Sequence, residues 1–255
     1  MSLQICSLNS GSNGNCYYIG NEQEAILVDA GLSCRETERR LERQGLSILN
    51  VKGLFISHEH TDHTKGVEVI ARKHKIPVFI TATTHRNSLL KIEHPLLRHF
   101  SPHIPVFIGN LKIVAFPKNH DASEPHSFTI EGAGLTVGVM TDIGSPCEHL
   151  VRHFRQCHAA FLEANYDDKM LEEGNYPVHL KRRIRGENGH LSNRQALNLF
   201  LAYRPAFMSH LILSHLSQNN NRPGLVLELF IKHAGNTRIE VASRNEETDV
   251  FAITV

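Results

Sequence analysis

The feature that most constrains this chain is Ser57-His58-Glu59-His60-Thr61-Asp62-His63, set directly after the apolar run Gly53-Leu54-Phe55-Ile56. A short apolar run ended by polar residues predicts a buried strand, so the histidines are delivered at its C-terminal end. In an extended segment residues two apart point the same way, and His58 and His60 can therefore grip one metal ion. The turn after them redirects Asp62 and His63 toward a second. Four ligands leave a two-ion site incomplete, so the rest must come from distant loops.

Three positions offer them, each after a strand-like run: His120 in Lys118-Asn119-His120-Asp121, Asp142 in Met140-Thr141-Asp142-Ile143-Gly144, and His215 in Leu213-Ser214-His215-Leu216-Ser217. Strands are predicted at 4–8, 16–19, 25–29, 51–57, 77–81, 111–116, 127–130, 135–141, 159–164 and 211–214. Helices are predicted at 35–44, closed by Gly45, and at 65–75, 146–154, 194–202 and 222–234. This alternation runs through residues 1–255 with no Pro/Gly/Ser-rich linker, which predicts one α/β domain of two packed sheets covered by helices. Phe55-Ile56-Ser57-His58 is echoed by Ile212-Leu213-Ser214-His215, a hint of two halves facing one site. Phe100, Phe107, Phe116 and Phe128 read as core residues.

The histidine-aspartate motif, the lone later histidine, the strand-terminal Thr-Asp and the later Ser-His resemble the metallo-β-lactamase superfamily in order and spacing, over nearly the whole chain. That resemblance implies an αββα sandwich and a dinuclear metal centre. One ion would fall to His58, His60 and His120, the other to Asp62, His63 and His215, with Asp142 bridging and Asp29 orienting a ligand from behind. A carboxylate suits the bridge because it can hold two cations about 3.5–4 Å apart and offset their repulsion. His and Asp ligands accept zinc, manganese or iron, and zinc is the expected occupant. Leu162-Glu163-Ala164-Asn165-Tyr166, Gly189-His190-Leu191-Ser192-Asn193 and Leu213-Ser214-His215-Leu216-Ser217 resemble the ordered C-terminal motifs of the ribonuclease Z branch, where a Glu-His pair lies beside the metals. The opening Ser7-Leu8-Asn9-Ser10-Gly11-Ser12-Asn13-Gly14-Asn15-Cys16-Tyr17 is closer to the YycJ/WalJ group of exonuclease-like phosphodiesterases.

The resemblance implies a hydrolase of phosphodiester bonds, a DNA or RNA exonuclease working 5′ to 3′. Asp62, Glu163 and His190 are the expected catalytic residues, His190 donating a proton to the leaving alkoxide while Glu163 fixes its tautomer. The alternatives are thioester or lactam hydrolysis on the same ions, or a metal-stabilised regulatory module without turnover. Lysines and arginines number 27 against 26 acidic residues, so any polyanion contact must be local. The dense basic stretch Lys181-Arg182-Arg183-Ile184-Arg185 is the place for a nucleic-acid backbone, or else a solvated helix face. Ser12 and Asn13, in a Gly/Ser/Asn turn that a hairpin also explains, and Asn193 are further candidate substrate contacts. Five cysteines without paired spacing read as reduced thiols. With no apolar run approaching the ~18 residues that span a bilayer, the expectation is a cytoplasmic protein with no membrane partner. Oligomeric state is left open.

Overall fold

A computed structural model describes residues 2–254. One sheet has seven strands in the order β14-β1-β2-β3-β4-β5-β6. These are β1 (Leu3–Asn9), β2 (Cys16–Gly20), β3 (Ala25–Val28), β4 (Val51–Phe55), β5 (Val78–Phe79), β6 (Leu97–Arg98) and β14 (Phe251–Ile253). The second runs β13-β12-β11-β10-β9-β8-β7. Its strands are β7 (Val106–Ile108), β8 (Leu111–Pro117), β9 (His126–Gly132), β10 (Leu135–Met140), β11 (Ala159–Glu163), β12 (His210–Ser214) and β13 (Arg238–Val241). In each sheet the outer hairpins pair antiparallel, while β3 to β6 and β10 to β13 run parallel.

Strand alternation divides the apolar residues into three layers. Ile5, Tyr17, Ile26, Val28 and Phe55 face Phe128, Val137, Val139, Phe161 and Ile212 between the sheets. The other face of the first sheet, with Cys6, Tyr18, Leu27 and Leu54, is covered by helices α1 (Cys34–Arg43) and α3 (Val67–His74), which comes after the single turn α2 (Thr61–Thr64). The far face of the second sheet, with Phe116, Met140, Leu162 and Leu213, is covered by α5 (Glu148–Phe154), α8 (Asn193–Tyr203) and α9 (Pro223–Ile231). This is the four-layer αββα arrangement that the resemblance implies. Short helices α4 (Ala82–Ser88), α6 (Asp168–Glu173) and α7 (Val178–Arg185) lie between strands.

Several expected boundaries move, for identifiable reasons. Strands predicted to run through Asp29 and Thr141 end at Val28 and Met140, because Asp29 and Asp142 adopt left-handed backbone with φ of 61° and 55°. The helix predicted over 65–75 begins only at Val67, because Gly66 caps it where the chain passes close under Leu32 O. Phe107 is 66% exposed, not core, since on the edge strand β7 its neighbours Val106 and Ile108 take the inward face. All five cysteines are free. No helix among the described residues is long and apolar enough to cross a membrane.

Candidate metal centre

The ligand candidates sit just beyond the C-terminal ends of β4, β8, β10 and β12, with Asp29 just after β3 and Glu163 ending β11, so both sheets deliver residues to one end of the sandwich. Asp29, Asp142 and His215, with φ of 61°, 55° and 57°, each leave their strand through left-handed backbone. Such residues cost roughly 1–2 kcal/mol each and are kept where surrounding contacts fix them. Here the turn swings the side chain sharply into the interior.

Asp29, fully buried, organises the histidine loop. Its carboxylate accepts from Ser57 N at 2.8 Å, from Ser57 Oγ at 2.8 Å and from His63 Nδ1 at 2.7 Å. With its hydroxyl proton given to Asp29, Ser57 Oγ accepts from His58 Nδ1 at 2.9 Å. Both rings thereby keep their Nδ1 protonated and turn Nε2 inward, the tautomer a metal requires. His120 reaches the same state by donating from Nδ1 to Gly189 O at 3.1 Å.

Two clusters result. His58, His60 and His120 bring their ring nitrogens together, His58 Nε2 lying 3.0 Å from His60 Nδ1. Asp62, His63 and His215 form the second, with His63 Nε2 and His215 Nε2 3.5 and 3.8 Å from Asp62 Oδ2. Asp142 stands between them: Oδ1 is 3.9 Å from His120 Nε2 and 3.3 Å from His215 Nε2, and Oδ2 is 3.4 Å from His63 Nε2. His120 Nε2, His215 Nε2 and Asp142 Oδ2 are buried without a hydrogen-bond partner. Leaving three such atoms bare costs several kcal/mol in total unless something else binds them. A divalent cation does, and this donor set of imidazole nitrogens and carboxylate oxygens suits one.

The electrostatics agree. Burial, reinforced by His63 and Lys118, holds His58 well below the usual histidine range, and burial brings His120 to about 4, so both are neutral and ready to bind. Burial also acts against charge on His215, but Asp142, Asp62 and Glu163 prevail and raise it to about 10. Protons on His63 and His215 thus balance the carboxylates that a bound cation would otherwise balance. Lys118, buried beneath the centre with Nζ donating to Thr141 O at 2.6 Å, is held below the usual lysine range by that burial.

Glu163 has a double grip. Its Oε1 accepts from His190 Nδ1 at 2.8 Å and from His215 Nδ1 at 2.9 Å, while Oε2 accepts from the backbone of Ile143 and Leu191 at 2.7 and 3.1 Å. Burial opposes its charge, yet the two histidines bring it down to about 2. One fully buried carboxylate therefore orients both a metal-ligand candidate and the histidine that faces the cleft.

A domain model described as the beta-lactamase superfamily domain matches residues 24–216. The chain belongs to the metallo-β-lactamase superfamily. Exodeoxyribonuclease YycJ of Bacillus anthracis is 33% identical over 233 residues, 87% of this chain and 85% of the relative. Exodeoxyribonuclease WalJ of Streptococcus pneumoniae is 30% identical over 219 residues, 84% of this chain and 81% of the relative. Among solved structures, the metallo-β-lactamase fold protein YhfI from Bacillus subtilis superposes with a TM-score of 0.74 at 14% identity, covering 99% of this chain and 100% of that one. The short form of human tRNase Z gives 0.67 at 16%, covering 99% and 100%. This is a metallo-hydrolase fold built for divalent metal binding, and His58, His60, Asp62, His63, His120, Asp142 and His215 are its ligand candidates here.

Beside this superfamily centre opens a cleft of about 210 Å³ lined by Ser12, Asp121, Tyr176, Arg183, His190 and Ser217. A larger groove of about 910 Å³, between α5 and α8, touches none of these residues. The basic stretch forms α7 and walls the cleft with Leu180, Arg183 and Ile184. Its charges are partly spent: Lys181 bonds Glu172 O, Arg183 pairs with Asp121 and Arg185 with Glu172, whereas Arg182 is exposed. Asn13 donates to Arg244 O at 2.6 Å. Asn193 stands apart, buried at the start of α8 with its amide engaged by Asn221 at 3.0 and 2.8 Å, a structural position rather than a cleft surface.

Two residues escape sequence reasoning. Asn15, fully buried, donates to Asp62 Oδ2 at 3.2 Å and lies 3.1 Å from His63 Nε2. Arg244 sits 3.4 Å from Ser12 Oγ with Nη1 buried and unpartnered, and no carboxylate among the described residues pairs with it. The hairpin reading of the Gly/Ser/Asn turn hides Asn15, and nothing near Arg244 in sequence points to the cleft.

Proposed function

We propose that this chain is a cytoplasmic dinuclear phosphodiesterase, an exonuclease acting on DNA ends from 5′ to 3′. His58, His60 and His120 would hold one ion, Asp62, His63 and His215 the other, and Asp142 would bridge them. Zinc fits the ligand set, and manganese or iron is the alternative. The names of the two curated relatives support DNA as substrate. Free cysteines suit a reducing compartment. The observation that carries the reading is the Glu163–His190 contact of 2.8 Å, with the His190 side chain 22% exposed and lining the cleft.

Bound ions would supply Lewis acidity and lower the pKa of water at the site. Everything else falls to the chain. His190, held by Glu163, presents Nε2 to the departing oxygen and gives it a proton. Asp29 and Ser57 fix the tautomers of His63 and His58, and Asn15 restrains Asp62. Arg244, held against Ser12 at the rim of the cleft, meets the phosphate backbone together with that serine, while Arg183 remains tied to Asp121 and Arg182 lies exposed on α7 outside the cleft lining. The double grip favours phosphodiester over thioester chemistry, because an alkoxide must be protonated to leave and a thiolate need not be.

Metal-loaded protein is tested on 5′- and 3′-labelled single and double strands beside a thioester. Mononucleotide release from 5′ ends, reduced at least a hundredfold in His190→Ala, is expected. Thioester turnover without phosphodiester cleavage would overturn the reading.

A further inference from the structure

A second group of ligand atoms lies outside the hydrolytic centre, between two helices on the outer face of the first sheet. Cys34 opens α1 and Glu38 comes one turn later on the same side. His74 closes α3, the helix packed beside α1. Cys34 Sγ lies 3.3 Å from Glu38 Oε1 and 4.0 Å from His74 Nε2, and that nitrogen is 2.5 Å from the same Oε1. A tetrahedral zinc bound at about 2.3 Å to sulfur and about 2.0–2.2 Å to nitrogen and oxygen sets such atoms roughly 3.4–3.6 Å apart. Each separation therefore changes by less than about 1 Å on binding. A nucleophile relay would place its two partners on opposite ring nitrogens, whereas here both converge on Nε2. Cys34 is buried, and the His74 and Glu38 side chains are 14% and 26% exposed, which leaves a solvent route for a fourth ligand.

We propose that Cys34, Glu38 and His74 form a separate, structural site for a thiophilic divalent cation of the zinc class. The thiolate selects zinc, cobalt(II) or cadmium over magnesium and calcium. Lys73 is a built-in competitor: its ammonium lies 2.7 and 3.0 Å from the two Glu38 oxygens. That side chain is 56% exposed and free to swing away. On binding, the metal–sulfur bond replaces the S–H bond and the proton goes to solvent, so affinity rises with pH. The location has a consequence for the hydrolytic centre. Because α3 continues from the turn that carries Asp62 and His63, an ion joining α1 to α3 stiffens the frame from which those two ligands hang.

The test is titration of reduced, metal-stripped protein with cobalt(II), monitored by absorption. Every ligand candidate of the hydrolytic centre is nitrogen or oxygen, so a thiolate-to-cobalt charge-transfer band in the near ultraviolet reports on a cysteine alone. The expected result is a band whose amplitude corresponds to one thiolate-bound cobalt per chain, complete by about three added cobalt ions because the hydrolytic centre fills as well, abolished in Cys34→Ser and kept in Asp142→Ala. His74→Gln should weaken the cobalt affinity at least tenfold, and Lys73→Met should strengthen it. Circular dichroism of each variant separates loss of the site from loss of the fold. Wild-type protein that shows no such band under excess cobalt, or folded Cys34→Ser protein that retains it, overturns the proposal. Neither result depends on which substrate the hydrolytic centre takes.

Discussion

Glu163→Gln keeps the shape of the side chain and removes its charge, which separates the two duties of that residue. The carboxylate is fully buried and accepts four hydrogen bonds, from His190 and His215 on one oxygen and from Ile143 and Leu191 on the other. An amide has one oxygen, so in either orientation two donors face an NH₂ group. At about 1–3 kcal/mol for each unmet buried donor, stability should fall by roughly 2–4 kcal/mol after partial relaxation. His190 also loses the carboxylate that fixes its tautomer and orientation. General acid catalysis contributes about 10²–10⁴ in rate, or roughly 3–5 kcal/mol of barrier. Freeing the His215 ring adds about a 10–100-fold loss of metal affinity at the second cluster. The assay measures kcat/KM at saturating metal for nucleotide release and for a 4-nitrophenyl phosphodiester, beside His190→Ala, with metal affinity from chelator competition. Both variants should lose about 10²–10⁴ on nucleic acid and less than about 10 on the nitrophenyl ester, whose leaving group needs no proton. Only Glu163→Gln should also weaken metal binding. Equal losses on the two esters, or unaltered metal affinity in Glu163→Gln, would refute the double grip.

Packing and charge at other positions have measurable consequences too. A Cβ at Gly31 would lie 1.7 Å from Asp62 O and 2.6 Å from Asn15 N, so Gly31→Ala must push the Asp62 segment aside. It should cost about 1–3 kcal/mol, each lowering Tm by ~2–4 °C, and should weaken metal binding; an unchanged Tm by calorimetry would contradict the close approach. His153, stacked on Phe116 at 4.1 Å, is held at about 4 by burial and by nearby His103 and Arg152. Its folded value lies below its unfolded one, so stability is retained above about pH 6.5 and lost as pH falls toward 4, at no more than ~1.4 kcal/mol per pH unit and less for this partly buried ring. His153→Phe should flatten that stretch of the pH–stability curve, and an identical curve would show that His153 does not set it. Arg244→Gln should weaken DNA binding uniformly across sequences and reduce the salt slope by about 1, a change absent if Arg244 contacts no phosphate.

The convergence of the ligand candidates is legible because strand ends announce themselves: an apolar run ended by His or Asp marks where a side chain leaves a sheet. Phe55–His58 and Ile212–His215, alike in sequence, come from opposite sheets and face one centre. Edge elements were not legible. Strands β6, β7, β13 and β14 have only two to four residues each and carry too little periodicity to stand out. The sequence predicts a hairpin turn before Asn15, and the turn is one, with Asn9 paired to Cys16. A hairpin reading accounts for the glycines and conceals the buried amide that holds Asp62. The Glu163–His190 pair could be read from motif order. The Glu163–His215 contact, 52 residues apart in sequence, has no local signature and required the parallel pairing of β11 with β12.

The most direct test of the proposed dinuclear exonuclease combines metal content with end-labelled cleavage in wild-type protein and Asp142→Ala. Two divalent ions per chain at the hydrolytic centre, counted in a Cys34→Ser background so that the second site does not contribute, and stepwise release of nucleotides from the 5′ end are predicted. Removing Asp142 should abolish both the full metal complement and at least 99% of that activity. Undiminished cleavage in Asp142→Ala, or full metal occupancy with no phosphodiester hydrolysis by the wild type, would contradict a bridged two-ion centre that cuts phosphodiesters.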